Sequence, residues 1–371
     1  MGKKAPLIQI LVFVIFIGAF LVLHLALPDH SLSGRESLQT APKLTLKTLT
    51  SGRFMEQAET YTGDQFPFRS GWVSLKARAE LLSGRTENNG VYLCAGEWLL
   101  EAFTAPTDAA LKKQTDAVRA FAESVEVPVA FALIPTAGGV YRDALPAGAP
   151  NDDQSAVIDA AYSAVGCDTV DLSAALNEHR DEHIFYRTDH HWTSLGAYYG
   201  YCALGDVLGY EPLPRSAFTE RTVSEDFYGT AWSNSGFSWV KPDTITAWVE
   251  QRGAVIARRT GAKAEEISLY DESALDGIDQ YSYFYGGNTP LLTVETGNAG
   301  ERLLILRDSY MDSLSPFLFA HFSELHIVDL RYYKSSIRDY IRDNGIDRVL
   351  ICYGINNFIS ETNLFLLENH S

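Results

Sequence analysis

Paired cysteines are missing from this chain: its four, Cys94, Cys167, Cys202 and Cys352, show no CxxC or comparable spacing. That spacing argues against a zinc framework, and the apolar neighbours of each point to buried thiols. A disulfide stays open. Clustered cations are also missing. With 30 Lys and Arg against 47 Asp and Glu, the formal net charge is -17, and no basic stripe is present to neutralise phosphates, so nucleic acid is not an expected partner. Low-complexity tracts and internal repeats are absent too. What the chain has in quantity is apolar material: 46% hydrophobic and 12% aromatic residues over 371 positions, enough to fill a large core.

One long apolar run stands at the N-terminus. Lys3 and Lys4 precede Leu7 to Leu27, in which His24 is the only side chain that could carry charge. The run has membrane-spanning length, and lysines before it predict a cytoplasmic N-terminus with an exported body. A signal peptide is the alternative, but no small-x-small cleavage site is evident. The expected organisation is an anchor over 1–28, a stalk over 29–60 and a body over 61–371.

Within the body, helical spacing runs from Trp72 to Leu82, "VYLCAGEWLL" reads as a hairpin, and a helix is expected over 108–125 with Asp108 as its N-cap. "VPVAFALIPT" is a continuous apolar strand, followed by a helix at about 153–165 and the short strand "CDTVDLS". The C-terminal third alternates again: "RLLILRDSY", a helix at 313–322, "ELHIVDL", a helix at 335–344, "RVLICYG". Buried strands alternating with amphipathic helices predict a parallel sheet covered on both faces. Between about 213 and 300 the texture becomes β-rich, with short stretches such as "DTITAWV" and "PLLTVE", and reads as an insertion.

In such a sheet, ligands collect where strands end. Ser309 follows "RLLIL", Arg331 and Tyr332 follow "HIVDL", and Asn356 and Asn357 follow "VLICY". Asp189, His190, His191 and Trp192 follow "DTVDL" after some fifteen residues. A serine at a strand tip becomes a nucleophile if a histidine takes its proton and a carboxylate fixes that ring. His190 and His191 do not read as metal ligands, since adjacent side chains diverge and no third ligand stands at the right spacing. The bland alternatives are that Asp189 only caps a helix starting near Thr193, that Ser309 only satisfies a local N–H, and that Arg331 pairs with a structural carboxylate.

"DSY" after a buried strand, "GINN" one unit later and an Asp-x-His element resemble the blocks of SGNH hydrolases, with the Asp-His block placed before the serine. "DHHWT", "FYGTAWSNSG", "VYLCAGEWL" and "DLRYY" resemble, in order and spacing, the DHHW family and the related SGNH-like domains of the alginate O-acetylation proteins. This resemblance implies a three-layer α/β/α, circularly rearranged fold. It also implies Ser309 as nucleophile, His191 as base and Asp189 as its orienter, with Arg331, Tyr332, Asn356 and Asn357 lining the site and His190 and Trp192 structural. It further implies O-acyl transfer to an exported polysaccharide with a membrane-bound O-acyltransferase as partner. No cofactor and no metal are expected. An esterase and a non-catalytic glycan-binding accessory protein are the alternatives. Two departures stand out: Cys94 replaces a glycine common in the hairpin, and Arg307 replaces the glycine of a GDS block.

Overall fold

A computed structural model describes residues 5–33, 36–250, 256–260 and 264–367. The chain divides into two units. One comprises residues 1–88 with 236–239, and the other residues 89–235 and 240–371.

The first unit opens with helix Ala5–Ala26, whose span Leu7–Ala26 is long and apolar enough to cross a membrane, with none of that span buried in the protein. The expected stalk is not featureless. It contains helices Leu46–Thr50 and Arg53–Asp64, the first closed by a reciprocal capping box between Thr45 and Thr48, a local signal that needs no apolar periodicity. Helix Arg69–Leu82 follows.

The second unit is built on an eight-stranded sheet. Its strands in chain order are β1 (Val129–Ile134) and β2 (Asp168–Val170), then, after the hairpin of β3 (Phe218–Phe227) and β4 (Asp243–Glu250), β5 (Ile256–Thr260), β6 (Ala264–Ile267), β7 (Leu291–Glu295), β8 (Arg302–Arg307), β9 (Glu324–Val328) and β10 (Arg348–Gly354). The spatial order is β6-β5-β7-β9-β8-β10-β1-β2. Neighbouring strands from β9 through β8, β10 and β1 to β2 pair in parallel. β7, β5 and β6 extend the sheet antiparallel, so the expected parallel sheet is in fact mixed. The cause is that part of the β-rich insertion does not form its own layer but continues the main sheet. Antiparallel addition at an edge needs no helical crossover. Of the insertion's strands among the described residues, β3 and β4 pair with each other in a separate hairpin.

Period-2 alternation sorts the sheet residues onto two faces. Ala130, Ala132, Ile134, Leu303 and Ile305 enter one core with helices Ser194–Leu208 and Met311–Leu318. Val129, Phe131, Leu133, Leu304 and Leu306 enter the other with helices Asp108–Ser124, Gln154–Val165 and Ile337–Asn344. Every residue of β1 is buried, and each large side chain so buried contributes about 1.5–3 kcal/mol. The helix over 108–124 is capped by the Thr107 side chain rather than by Asp108. The helix expected at 313–322 spans Met311–Leu318. The four cysteines are free thiols.

Candidate active site

The stretch "FYRTDHHW" is a tight loop. Phe185 and Trp192 form an isolated antiparallel bridge, Tyr186 N–H donates to His191 O at 3.2 Å and Thr193 N–H to Ile184 O at 2.9 Å. Asp189, His190 and His191 therefore sit at the tip of a hairpin that runs straight into helix Ser194–Leu208, whose N-cap is Thr193 and not Asp189. Gly196 makes the entry possible, because a Cβ there would lie 2.2 Å from Ile184 O.

Asp189 holds His191 twice. Its Oδ1 accepts from the His191 backbone N–H at 3.0 Å and faces the ring Nδ1 at 2.6 Å. Its Oδ2 accepts from Thr230 N–H at 2.8 Å and Thr230 Oγ1 at 3.1 Å. With Nδ1–H directed at the carboxylate, the other ring nitrogen is an acceptor. That nitrogen, Nε2, lies 2.8 Å from Ser309 Oγ. The structure thus joins Asp189, His191 and Ser309 in one hydrogen-bonded chain whose two halves are 118 residues apart.

Ser309 follows β8, at the middle of the sheet. Trp192, fully buried, clamps the two halves: its indole N–H reaches Tyr310 O at 2.9 Å and Ser313 Oγ at 3.1 Å. Tyr310 returns the contact by donating its hydroxyl to His190 O. The His190 ring faces Thr230 Oγ1 at 2.6 Å and lies against His191, with centroids 3.9 Å apart. Burial, with the neighbouring His191 adding to it, pushes the His190 pKa below the usual imidazole range. Ligand atoms of Asp189, His190 and His191 come within 4.8 Å of one another, and all three side chains are engaged in the hydrogen bonds just described.

The residues expected to line the site have the following partners. Asn357 Nδ2 donates to Asp308 Oδ2 at 2.7 Å, as does Gly354 N–H at 2.7 Å, while Asp308 Oδ1 accepts from Tyr310 N–H at 3.0 Å. The tip of β10 therefore grips the residue before the serine, not the serine itself. Gly354 is required there, since a Cβ would meet the Tyr310 ring at 2.6 Å. Burial raises the Asp308 pKa against these donors. Arg331 pairs with Asp329, Nε to Oδ1 at 2.9 Å and Nη2 to Oδ2 at 2.7 Å, the structural alternative weighed for it, yet it also borders a cavity of about 180 Å³ with Asp308, Asn357, Glu361 and Asn363. Asn356 contributes its backbone carbonyl to Ser360 Oγ at 2.7 Å. Tyr332 is exposed under the Arg331 guanidinium, 5.6 Å from its ring centroid. Neither Asn356 nor Tyr332 has a hydrogen bond to the Ser309–His191 pair among the described residues. Arg307 is fully buried and reaches Asp312 Oδ1 at 2.9 Å.

Three residues at the site escaped the sequence reading. Tyr281 stacks face to face on His191, 3.9 Å between centroids at 10°, and its hydroxyl donates to Ser313 Oγ at 3.1 Å and Ser309 O at 3.3 Å. Thr230 supports Asp189 from within "FYGTAW", a motif visible in the sequence without a role. Glu101 stands in the field of His190 and Asp189, its pKa raised by burial.

The sequence matches the model of a family described as DHHW protein over residues 127–328, more than half of the chain. The structure is similar to a DHHW family protein from Eubacterium siraeum, with a TM-score of 0.67 and 28% identity over 76% of this chain and 96% of that one. It is also similar to Bacillus cereus PatB1 with a sulfonyl adduct, at a TM-score of 0.62 and 20% identity, covering 74% of this chain and 97% of that one. A curated relative, the probable alginate O-acetylase AlgJ of Pseudomonas putida, is 24% identical over 226 residues, 57% of this chain and 58% of that protein. The chain thus spans little more than half the length of this relative. By sequence and by structure, the chain belongs to the DHHW family.

Proposed function

We propose that the protein is a serine-dependent O-acyltransferase, acting with acetyl groups on a cell-surface or exported polysaccharide. The observation that carries this reading is the hydrogen-bonded chain from Asp189 through His191 to Ser309. The name of the alginate O-acetylase relative supports the acetyl and polysaccharide assignments, and the sulfonyl adduct of the PatB1 relative supports a site that reacts with electrophiles. The Asp-His loop ahead of the serine is read as a circular rearrangement of the SGNH order.

In the first half-reaction His191 Nε2 takes the Ser309 proton as Oγ attacks the acyl carbonyl, and the same proton passes to the departing donor group, leaving an acyl ester on Ser309. In the second, a sugar hydroxyl gives its proton to His191 and attacks that ester, and Ser309 Oγ recovers the proton as it leaves. Asp189 keeps Nδ1 protonated and steadies the imidazolium. The Ser309 backbone N–H and the remaining amide hydrogen of Asn357 are the donors at hand for the oxyanion. The cavity beside Asp308, Arg331 and Glu361 offers carboxylate, amide and guanidinium groups suited to a sugar acceptor. A membrane-bound O-acyltransferase supplies the acyl donor, and helix Ala5–Ala26 anchors the chain in the same membrane with its N-terminus cytoplasmic.

Ser309→Ala is expected to lower glycan O-acetylation by about 10³-fold or more at unchanged protein level. A sulfonyl fluoride probe is expected to label the wild type but neither Ser309→Ala nor His191→Ala. Unchanged acetylation in Ser309→Ala overturns the catalytic reading in favour of an accessory role. Labelling with hydrolysis of acetyl esters, and no transfer to any glycan, makes the protein an esterase.

A further inference from the structure

The first unit exposes a row of large apolar side chains that acyl transfer does not use: Phe66 is 40% exposed, Phe68 66%, Trp72 41% and Leu75 56%. They belong to the turn "QFPFRSGW" and to the helix Arg69–Leu82 that follows it. Their position is set by the N-terminal helix. Phe20, inside the apolar span Leu7–Ala26, stacks on Phe66 with centroids 5.2 Å apart at 7°, and meets Trp72 at 5.9 Å. Phe20 precedes the end of the span by six residues, about 9 Å along a helix. Whatever medium surrounds Phe20 therefore also surrounds Phe66 and Trp72.

One turn further along, both partners become polar at the same height. His24 Nδ1 lies 3.1 Å from Gln65 O, and its ring meets Tyr61 edge-on at 5.3 Å. Tyr61 donates its hydroxyl to Asp29 Oδ1 at 2.9 Å, and His30 N–H donates to Gln65 Oε1 at 2.9 Å. An apolar level below and a polar level above, matched across two elements, is the pattern a lipid–water boundary selects. The one polar atom on the Trp72 side chain is already satisfied, since its indole N–H donates to Pro67 O at 3.1 Å, so the ring enters lipid without an unpaired donor. Phe68 holds a left-handed backbone, with φ at 62°, which bulky residues rarely adopt. That strain is retained at the most exposed ring of the row.

We propose that the turn over Phe66–Phe68 and the first turns of helix Arg69–Leu82 dip into the leaflet that the N-terminal helix leaves, giving the protein a second, monotopic contact with lipid acyl chains. The proposal rests on the reading of helix Ala5–Ala26 as an anchor.

The test uses the full chain in phosphatidylethanolamine/phosphatidylglycerol vesicles, with a diazirine amino acid placed singly at positions 13, 68, 75 and 365 and lipid adducts read by mass. Phe13 reports the anchor, Phe68 and Leu75 the turn and helix. Phe365, 45% exposed in the second unit, is the control. Adducts at 13, 68 and 75 but not at 365 are expected. Adducts at 13 alone overturn the proposal and leave the anchor standing. No adduct at 13 overturns the anchor reading and the proposal with it. Equal adducts at all four positions overturn a localised contact.

Discussion

Tyr281 covers one face of the proposed base with its ring while its hydroxyl holds the carbonyl of the proposed nucleophile. Its hydroxyl bonds the Ser309 carbonyl and Ser313 Oγ and its ring packs on the imidazole without hydrogen-bonding a reacting atom, so it acts as a positioning residue. Tyr281→Leu removes the stacked plate and is expected to lower kcat for a chromogenic acetyl ester by about 10²-fold, the scale of a misplaced catalytic group, with KM little changed. Tyr281→Phe keeps the stack and retains most of the activity. A rise in KM at constant kcat contradicts this role. Asp312 makes a second prediction. Burial pushes its pKa from 3.8 up to about 7, with Arg307 opposing. Between those values the folded chain holds a proton that the unfolded chain has released, so the contribution of Asp312 to stability falls as pH rises through that window and is level above it. Denaturant titrations are expected to show Asp312→Asn gaining on the wild type from pH 4 to pH 7. A difference independent of pH contradicts this. At this scale Ser309, His191 and Asp189 were legible because each stands at a strand end or just ahead of a helix start. Asn357 and Arg331 were legible as neighbours of that site, but their hydrogen bonds to the buried Asp308 and Asp329 were not, since those carboxylates reveal no partner in sequence. Tyr281 lay in a stretch with no periodic signal.

Helix Ser194–Leu208, the hairpin loop before it and the turn Gly229–Thr230 act together. Two glycines permit their approach: a Cβ on Gly200 would lie 2.9 Å from the Trp192 ring, and one on Gly229 would lie 2.1 Å from Asp189 Cβ. Gly229→Ala must therefore displace the carboxylate that orients His191. It is expected to lower kcat by about 10²-fold or more with an unchanged circular dichroism spectrum, whereas wild-type activity in this variant means that Asp189 can move without cost. The strand and helix order of the body was legible from alternation of apolar runs and stripes. The antiparallel edge was not. "PLLTVE" alternates in the same way whether it pairs in a separate hairpin or extends the main sheet, and only the partner strand, Glu324–Val328, decides between them. Thr107 displaced Asp108 as a cap because either side chain suits the position and the chain's entry angle selects one.

For the whole molecule, the acidic charge and the N-terminal apolar run read directly from the sequence, since both are sums over composition. The helix Leu46–Thr50 of the supposed stalk did not, because a capping box rather than periodicity announces it. The central place of β8 in the sheet has a consequence for the life of the chain. β8 is flanked by β9 and β10, and Asp308 beside the serine is tied down by Gly354 and Asn357. The strands that seat the proposed nucleophile thus come from a later stretch of the chain than the His191 loop. A chain translated only as far as the histidine loop therefore lacks the strands that seat Ser309, and under the proposed function it stays chemically inert until β9 and β10 have joined β8.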